Sequence, residues 1–401
     1  MRSHRYLNAL FFATALGQSP LAAADVVLDW NEIGLARVLA ARQLPPDASR
    51  SLAIMHLAMF DAATAAQSRG VASTQAATAA AAHAALIRLF PGEAQALDAA
   101  YAASIAGIDT GAGHAGAEIG RAAAARRVQL RERDGSGIAG PYKPRVQAGV
   151  YVATAYPVSS EWARVKPFVM DDSAQFRPPP PPSLDSPVWA RDLEEIRAVG
   201  SRASTSRSRE QTDVARFWTV TGPPSWNPLV RALAQARSAG LVDNARLFAQ
   251  VYVAATDAFI AVFDAKYAHE FWRPVTAVRH GGSDPAWLPL VDTPMHPEYP
   301  CAHCISSAAV ATVLEAHFGK GSIAPVSMTS PTAPGVTRTW SRLSDYVTEV
   351  SNARVWGGIH YRNSTVVGEQ MGRRIGALAV ERPLVAVEAS REPAPATLSA
   401  R

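Results

Sequence analysis

Cysteine is scarce in this chain, with two residues in 401, Cys301 and Cys304. That excludes a disulfide-stapled scaffold and a four-cysteine zinc site. In an oxidising compartment the two could join, but so small a loop adds little stability and invites strain. Zinc held by both cysteines and a histidine is a crowded alternative that lacks a second cysteine pair. A thioredoxin-like redox pair needs a strand leading into a helix, and no strand pattern of any length is present. Charge is modest at 18% of residues, with a formal net of +5. There is no basic block and no alternation of basic and aromatic residues, which argues against a nucleic-acid partner. Long uncharged apolar runs are missing too. Leu247–Thr256 is bounded by Arg246 and Asp257, far short of the ~20 residues a bilayer crossing needs.

What is present is helical. The first residues read as an export signal over 1–24. Arg2 and Arg5 start it, Leu7–Gly17 is a short apolar core, and small residues precede Asp25. The expected location is therefore exported, periplasmic or secreted, with no transmembrane segment in the mature chain. Helices are expected over Asp25–Arg42, Ser51–Gln67, Ala76–Phe90, Glu93–Ile105 and Ala115–Arg133. His56 and Asp61, inside the second, read as satisfied structural groups. The small residues of the later helices suggest close helix–helix approach. An irregular stretch over 135–173 completes an N-terminal half, 25–177.

Five prolines, Pro178–Pro182, favour stiff polyproline II and make a seam over 178–185. Ser186-Pro187 is a cap followed by a first-turn proline. Further helices are expected at Pro187–Val199, Arg209–Thr219, Asn227–Ser238, Leu241–Trp272, His303–Phe318, Trp340–Trp356 and Ser364–Ala377. They make a second half, 186–385. A proline-containing tail, 386–401, reads as disordered. The fold class is all-α, two helical-bundle halves.

Three stretches carry chemistry. In Lys266-Tyr267-Ala268-His269-Glu270-Phe271-Trp272-Arg273-Pro274 the two cations are seven residues apart. On one helix they would share a face, and Pro274 would end or kink it. The bland alternative is that Lys266 pairs with Glu270 four residues on. In His296-Pro297-Glu298-Tyr299-Pro300-Cys301-Ala302-His303 two prolines give an extended lead-in to a helix start. A helix start presents free N–H groups and positive potential, which suit an anion, and a histidine there can move a proton near neutral pH. In Ser351-Asn352-Ala353-Arg354-Val355-Trp356-Gly357-Gly358-Ile359-His360 a continuous helix would set Arg354 and His360 on opposing sides. The glycine pair is expected to break it and turn both into one site.

In this order the three resemble the signature motifs of the type 2 phosphatidic acid phosphatase and vanadium-dependent haloperoxidase superfamily. Lys266, Arg273 and Pro274 match the first motif in full. Pro300 and His303 match the second, with Cys301 and Ala302 in place of its serine and glycine. Arg354, the five-residue gap and His360 match the third, with Ala353 where a serine is usual. The resemblance implies a four-helix-bundle core carrying an oxyanion site. Lys266, Arg273 and Arg354 would neutralise vanadate or phosphate, with Cys301 and Ala302 beside it. His360 would be the vanadium ligand, or the nucleophile of a phosphatase, and His303 the general acid–base. His296 stands where bromoperoxidase-type members carry a second site histidine. Ser364 stands where haloperoxidases have an aspartate that orients the metal-binding histidine.

The extra helical half and His296 favour the haloperoxidase branch, which oxidises halide with hydrogen peroxide. Cys301 and Ser364 favour hydrolysis of a phosphoester. A third possibility is a helical protein that binds the oxyanion without turnover. Oligomeric state is not legible.

Overall fold

Helix α9, Leu241–His269, runs through the middle of the molecule. From Asn244 to Lys266 only Arg246 is exposed. Its residues are mostly alanine, valine and aromatics, apolar on every side, so it is stable only when other helices surround it. The computed structural model describes residues 25–384, except 72, 139, 141, 154–155 and 281–283. The expected export signal and tail lie outside the described residues. By length and composition α9 is also long and apolar enough to cross a membrane, which its sequence reading missed. Its whole apolar window is buried inside the fold.

Five helices precede it in the N-terminal half. They are α1 (Val26–Ala40), α2 (Pro45–Ser68), α3 (Thr74–Leu89), α4 (Ala94–Ser104) and α5 (Thr110–Gln129). Asp25, Ser73 and Asp109 cap α1, α3 and α5 through their side-chain oxygens. α2 starts six residues earlier than expected. Pro45 and Pro46 fill its first turn, where no N–H is needed. Glycines seat α5 on α3, because a Cβ on Gly120 would lie 2.3 Å from the Ala77 carbonyl oxygen.

The following stretch is irregular apart from a 3-10 turn at Ser160–Arg164. Asp257 of α9 ties it down, accepting the N–H groups of Phe168 (2.7 Å), Val169 (2.8 Å) and Met170 (2.9 Å). Arg177 then grips Asp264 with two 2.7 Å hydrogen bonds.

Beyond the prolines come α6 (Pro187–Val199), α7 (Arg209–Phe217), α8 (Asn227–Arg237) and α9 itself. After α9 follow α10 (Pro274–Arg279), α11 (Ala302–Phe318), α12 (Leu343–Trp356) and α13 (Arg362–Glu381). Helices α9, α11, α12 and α13 form a four-helix bundle, and α2 packs the N-terminal half onto α9. One departure from the all-helical reading is a two-stranded antiparallel ribbon, β1 (Val326–Thr329) with β2 (Thr337–Trp340). Four residues per strand are too few for alternation to stand out in sequence.

The long helix also stops sooner than expected. Glu270 adopts a left-handed conformation (φ 47°) and its N–H closes the helix on the Lys266 carbonyl. Phe271 bridges to Val150, and Arg273 caps α10 with Pro274 at its first position. Lys266 and Arg273 therefore do not share a helix face. The chain reverses between them and brings Arg273 round from the other side.

Candidate active site

Lys266 lies in the last turn of α9 and is fully buried. Its ammonium donates to the carbonyls of Pro297 (3.0 Å), Glu298 (2.7 Å) and Pro300 (2.5 Å). An ammonium has three protons, and all three are engaged. Lys266 thus holds the 297–300 segment and lends its charge from behind. Burial, reinforced by Arg273, pushes its pKa well below the usual lysine range. The bland pairing with Glu270 does not form, since Glu270 is bound by Arg145.

Arg273 is also buried. Its Nε donates to the His296 carbonyl at 2.9 Å and its Nη1 to the Ile359 carbonyl at 2.8 Å. Nη2 lies 3.0 Å from His296 Nδ1, and Nη1 lies 3.3 Å from His360 Nε2. Arginine only donates, so both imidazole nitrogens are acceptors. This sets the tautomer of His360. Nε2 carries a lone pair and the proton sits on Nδ1, 2.7 Å from Glu298 Oε1. The same oxygen accepts the Tyr361 N–H at 3.1 Å.

Glu298 is fully buried, and burial pushes its carboxyl up to about 7 despite Lys266 and Arg273, which hold it down. His360 shifts the other way, well below the usual histidine range, through burial first and then the field of Arg273, Lys266 and Arg354. It is a neutral imidazole with Nδ1 anchored on Glu298 and an unprotonated Nε2 facing Arg273.

The glycine pair delivers His360. α12 ends at Trp356 with Gly357 as its cap, and Gly358 has φ +77°. A Cβ on Gly358 would sit 2.2 Å from the Gly200 carbonyl oxygen, so only glycine lets the chain turn here. Arg354, one turn back, gives Nη1 to the Trp218 carbonyl, while its buried Nε has no partner. Burial, then Arg273, brings its pKa down to about 9.

Across the pocket, α11 begins with Cys301 as its cap. Cys301 is disulfide-bonded to Cys304, and its sulfur accepts the Cys304 N–H at 3.2 Å. The Cys301 N–H goes to the Ser364 carbonyl. The N–H groups of Ala302 and His303 find no partner among the described residues. His303 Nε2 lies 3.0 Å from the Val220 carbonyl, which makes that nitrogen the donor and Nδ1 the basic atom. Burial and Arg354 lower its pKa well below the usual value.

A family model described as the VCPO second helical-bundle domain matches residues 246–388, the bundle that holds these groups. Over 145 residues the chain is 33% identical to vanadium chloroperoxidase of Curvularia inaequalis. Over residues 246–388 this chain therefore resembles the vanadium haloperoxidases. The aligned part is 29% of this chain and spans only 24% of the chloroperoxidase's length. Two solved structures extend the likeness of fold to most of the chain. A bacterial vanadium-dependent iodoperoxidase superposes with a TM-score of 0.76 at 22% identity, covering 88% of this chain and 94% of its own. A holo-type bacterial vanadium-dependent chloroperoxidase gives 0.65 at 18% identity, covering 84% and 92%.

In the folded chain, Lys266, Arg273, His296, Ala302, His303, Arg354 and His360 converge on one region. Glu298 belongs with them and is absent from the motif reading. It lies inside the second stretch, but its partner His360 is 62 residues away, so only the folded chain reveals the pairing. The buried Ser364 directs its carbonyl to Cys301, and the carboxylate on His360 comes instead from Glu298.

Proposed function

We propose that this chain is a vanadium-dependent haloperoxidase-like enzyme that holds vanadate in this pocket and oxidises halide with hydrogen peroxide. The observation that carries the reading is the state of His360, with its Nδ1 proton on a buried carboxylate and its Nε2 lone pair turned to Arg273, the cation that would share a bound anion with it. Such a carboxylate–histidine pair fixes a metal ligand and raises its basicity. The remaining donors suit an oxyanion. The orphaned Arg354 Nε and the unpartnered N–H groups of Ala302 and His303 are buried groups that a tetrahedral anion would satisfy.

Vanadate, when bound, supplies the activation of peroxide toward halide. The chain's own part is to bind and to move protons. Arg273 and Arg354, both buried, hold negative charge at the base of the pocket. Lys266 adds its field while holding the 297–300 segment. His303, anchored through Nε2 and basic at Nδ1, takes and returns a proton. A second reading rests on the same Nε2 lone pair, which would accept a phosphoryl group in phosphomonoester hydrolysis. The disulfide does not choose between the two, because the motif's serine belongs to both branches and its loss withholds a hydroxyl from either anion. The disulfide does support the exported location proposed from residues 1–24.

A paired assay decides between the two. Bromide and chloride oxidation by hydrogen peroxide is measured after vanadate loading, and p-nitrophenyl phosphate hydrolysis is measured with vanadate as inhibitor. Halide oxidation that requires vanadate supports the first reading. Vanadate-inhibited hydrolysis without halide oxidation supports the second. In either case His360→Ala is expected to lose about 100-fold or more. His303→Ala should lose turnover while keeping most vanadate affinity. Full activity in His360→Ala would overturn the site assignment.

A further inference from the structure

The oxyanion groups form the floor of a chamber of about 320 Å³. His303, Arg354 and His360 line that floor. The walls are of different chemistry, with Phe259 and Phe263 from α9, Met295 from the loop before His296, Val158 from the irregular segment, and Pro46 from the start of α2. Phe263 meets the His296 ring edge-on, with centroids 5.3 Å apart. Both halves of the chain therefore place apolar walls beside Arg354, His303 and His360.

Peroxide and halide are far too small to need such walls. An apolar cavity of roughly 150 Å³ already takes up benzene. Pockets of ~300 Å³ or more with a few convergent polar groups are the usual shape of an organic-ligand site.

Resting on the oxyanion site described above, we propose that this pocket also takes organic oxyanions, and that one carrying a compact aryl group seats it against Phe259, Phe263 and Met295. Its anionic head takes the vanadate position on Arg354 and His303, so the two compete. The site is thus bipartite, selecting the apolar body of the ligand as well as its charge.

The test is calorimetric competition with orthovanadate on the full chain, comparing phenylphosphonate with methylphosphonate. The two carry the same anionic head and differ in the aryl body. Burial of a phenyl ring should make phenylphosphonate about tenfold tighter, or more. Phe263→Leu and Met295→Gln should each pull that ratio toward one. Equal affinities, with both phosphonates displacing vanadate, would overturn the aryl chamber and leave the oxyanion site standing. Phenylphosphonate that binds tightly without displacing vanadate would also overturn it, by placing the ring elsewhere. Failure of vanadate itself to bind would bring down the oxyanion reading together with this one.

Discussion

Glu298 governs the residue scale. Its carboxyl keeps a proton up to about 7, so the charged acceptor for the His360 Nδ1 proton forms only as pH rises through that value. Vanadate affinity should accordingly climb with pH on a limb centred near 7. Glu298→Gln keeps an oxygen for the bond but removes the charge. It should weaken vanadate binding ~10–100-fold and abolish the limb. An unchanged pH profile in calorimetric titrations would remove Glu298 from the site. Cys301 offers a second test. In the Cys301→Ser/Cys304→Ala variant the hydroxyl can still accept the residue-304 N–H, as the sulfur does now. It also gains a proton to give an anion. One charge-assisted hydrogen bond is worth ~1.5–3 kcal/mol, so vanadate should bind about tenfold tighter. No gain would mean that this position does not face the anion. Lys266, Arg273, Arg354, His303 and His360 were legible because their spacing is rigid. Glu298 was not, because no local rule links it to a histidine 62 residues on. Nor does spacing show that the Lys266 protons all go to carbonyls.

Among elements, the glycine seams set how closely helices approach. Gly368, Gly372 and Gly376 lie at successive four-residue steps of α13, one face against α11. A Cβ on Gly372 would come within 2.2 Å of the Ile305 carbonyl oxygen, which is rigid backbone. Gly372→Ala should cost ~1–3 kcal/mol by forcing the helices apart, despite the ~1 kcal/mol that alanine contributes within a helix. Gly113 in α5 is the control. The nearest outside atom to its Cβ is 3.9 Å away, so Gly113→Ala should be neutral or stabilising. Equal urea midpoints for both variants would contradict the close-packed seam. Most helices could be read from caps and periodicity. Ser186-Pro187 marked the start of α6, and Gly357-Gly358 the end of α12. The end of α9 was hidden, because a glutamate in the left-handed region leaves no trace in sequence. The start of α2 was missed, because Pro45 and Pro46 occupy its first turn, ahead of the apolar periodicity that marks the helix.

At the scale of the whole molecule, a buried polar network joins the halves. Asn31 of α1 meets His56 of α2 at 3.0 Å and Tyr252 of α9 at 3.1 Å, and Asn227 of α8 bonds Asn31 and Tyr252. His56 is stacked on Phe248 and Tyr252. Burial, aided by Arg231, lowers its pKa from 6.5 to about 3. Between those values the unfolded chain binds a proton that the folded chain refuses. The stability from this group is therefore complete above about 6.5 and is lost as pH falls toward 3. His296, His303 and His360 are shifted in the same direction. One such histidine contributes a slope of ~1.4 kcal/mol per pH unit. Urea unfolding at two acidic pH values should show His56→Gln with a shallower dependence by about that amount. An identical slope would mean that His56 is not held neutral. Sequence marked His56 as a structural group, but its partners come from α1 and α9, and no periodicity joins them.

Helix α9 offers Tyr252 to that network, Asp257 to the irregular segment, Asp264 to Arg177 and Lys266 to the loop behind the site. By helix geometry these four fastenings fall on two faces, Tyr252 with Lys266 on one and Asp257 with Asp264 on the other. Losing or gaining a single residue between them would rotate all that follows by about 100°. Loops elsewhere can change length freely over evolution. In α9 the residue count between Tyr252 and Lys266 acts as a fixed phase, and the relative orientation of everything it fastens is set by that number.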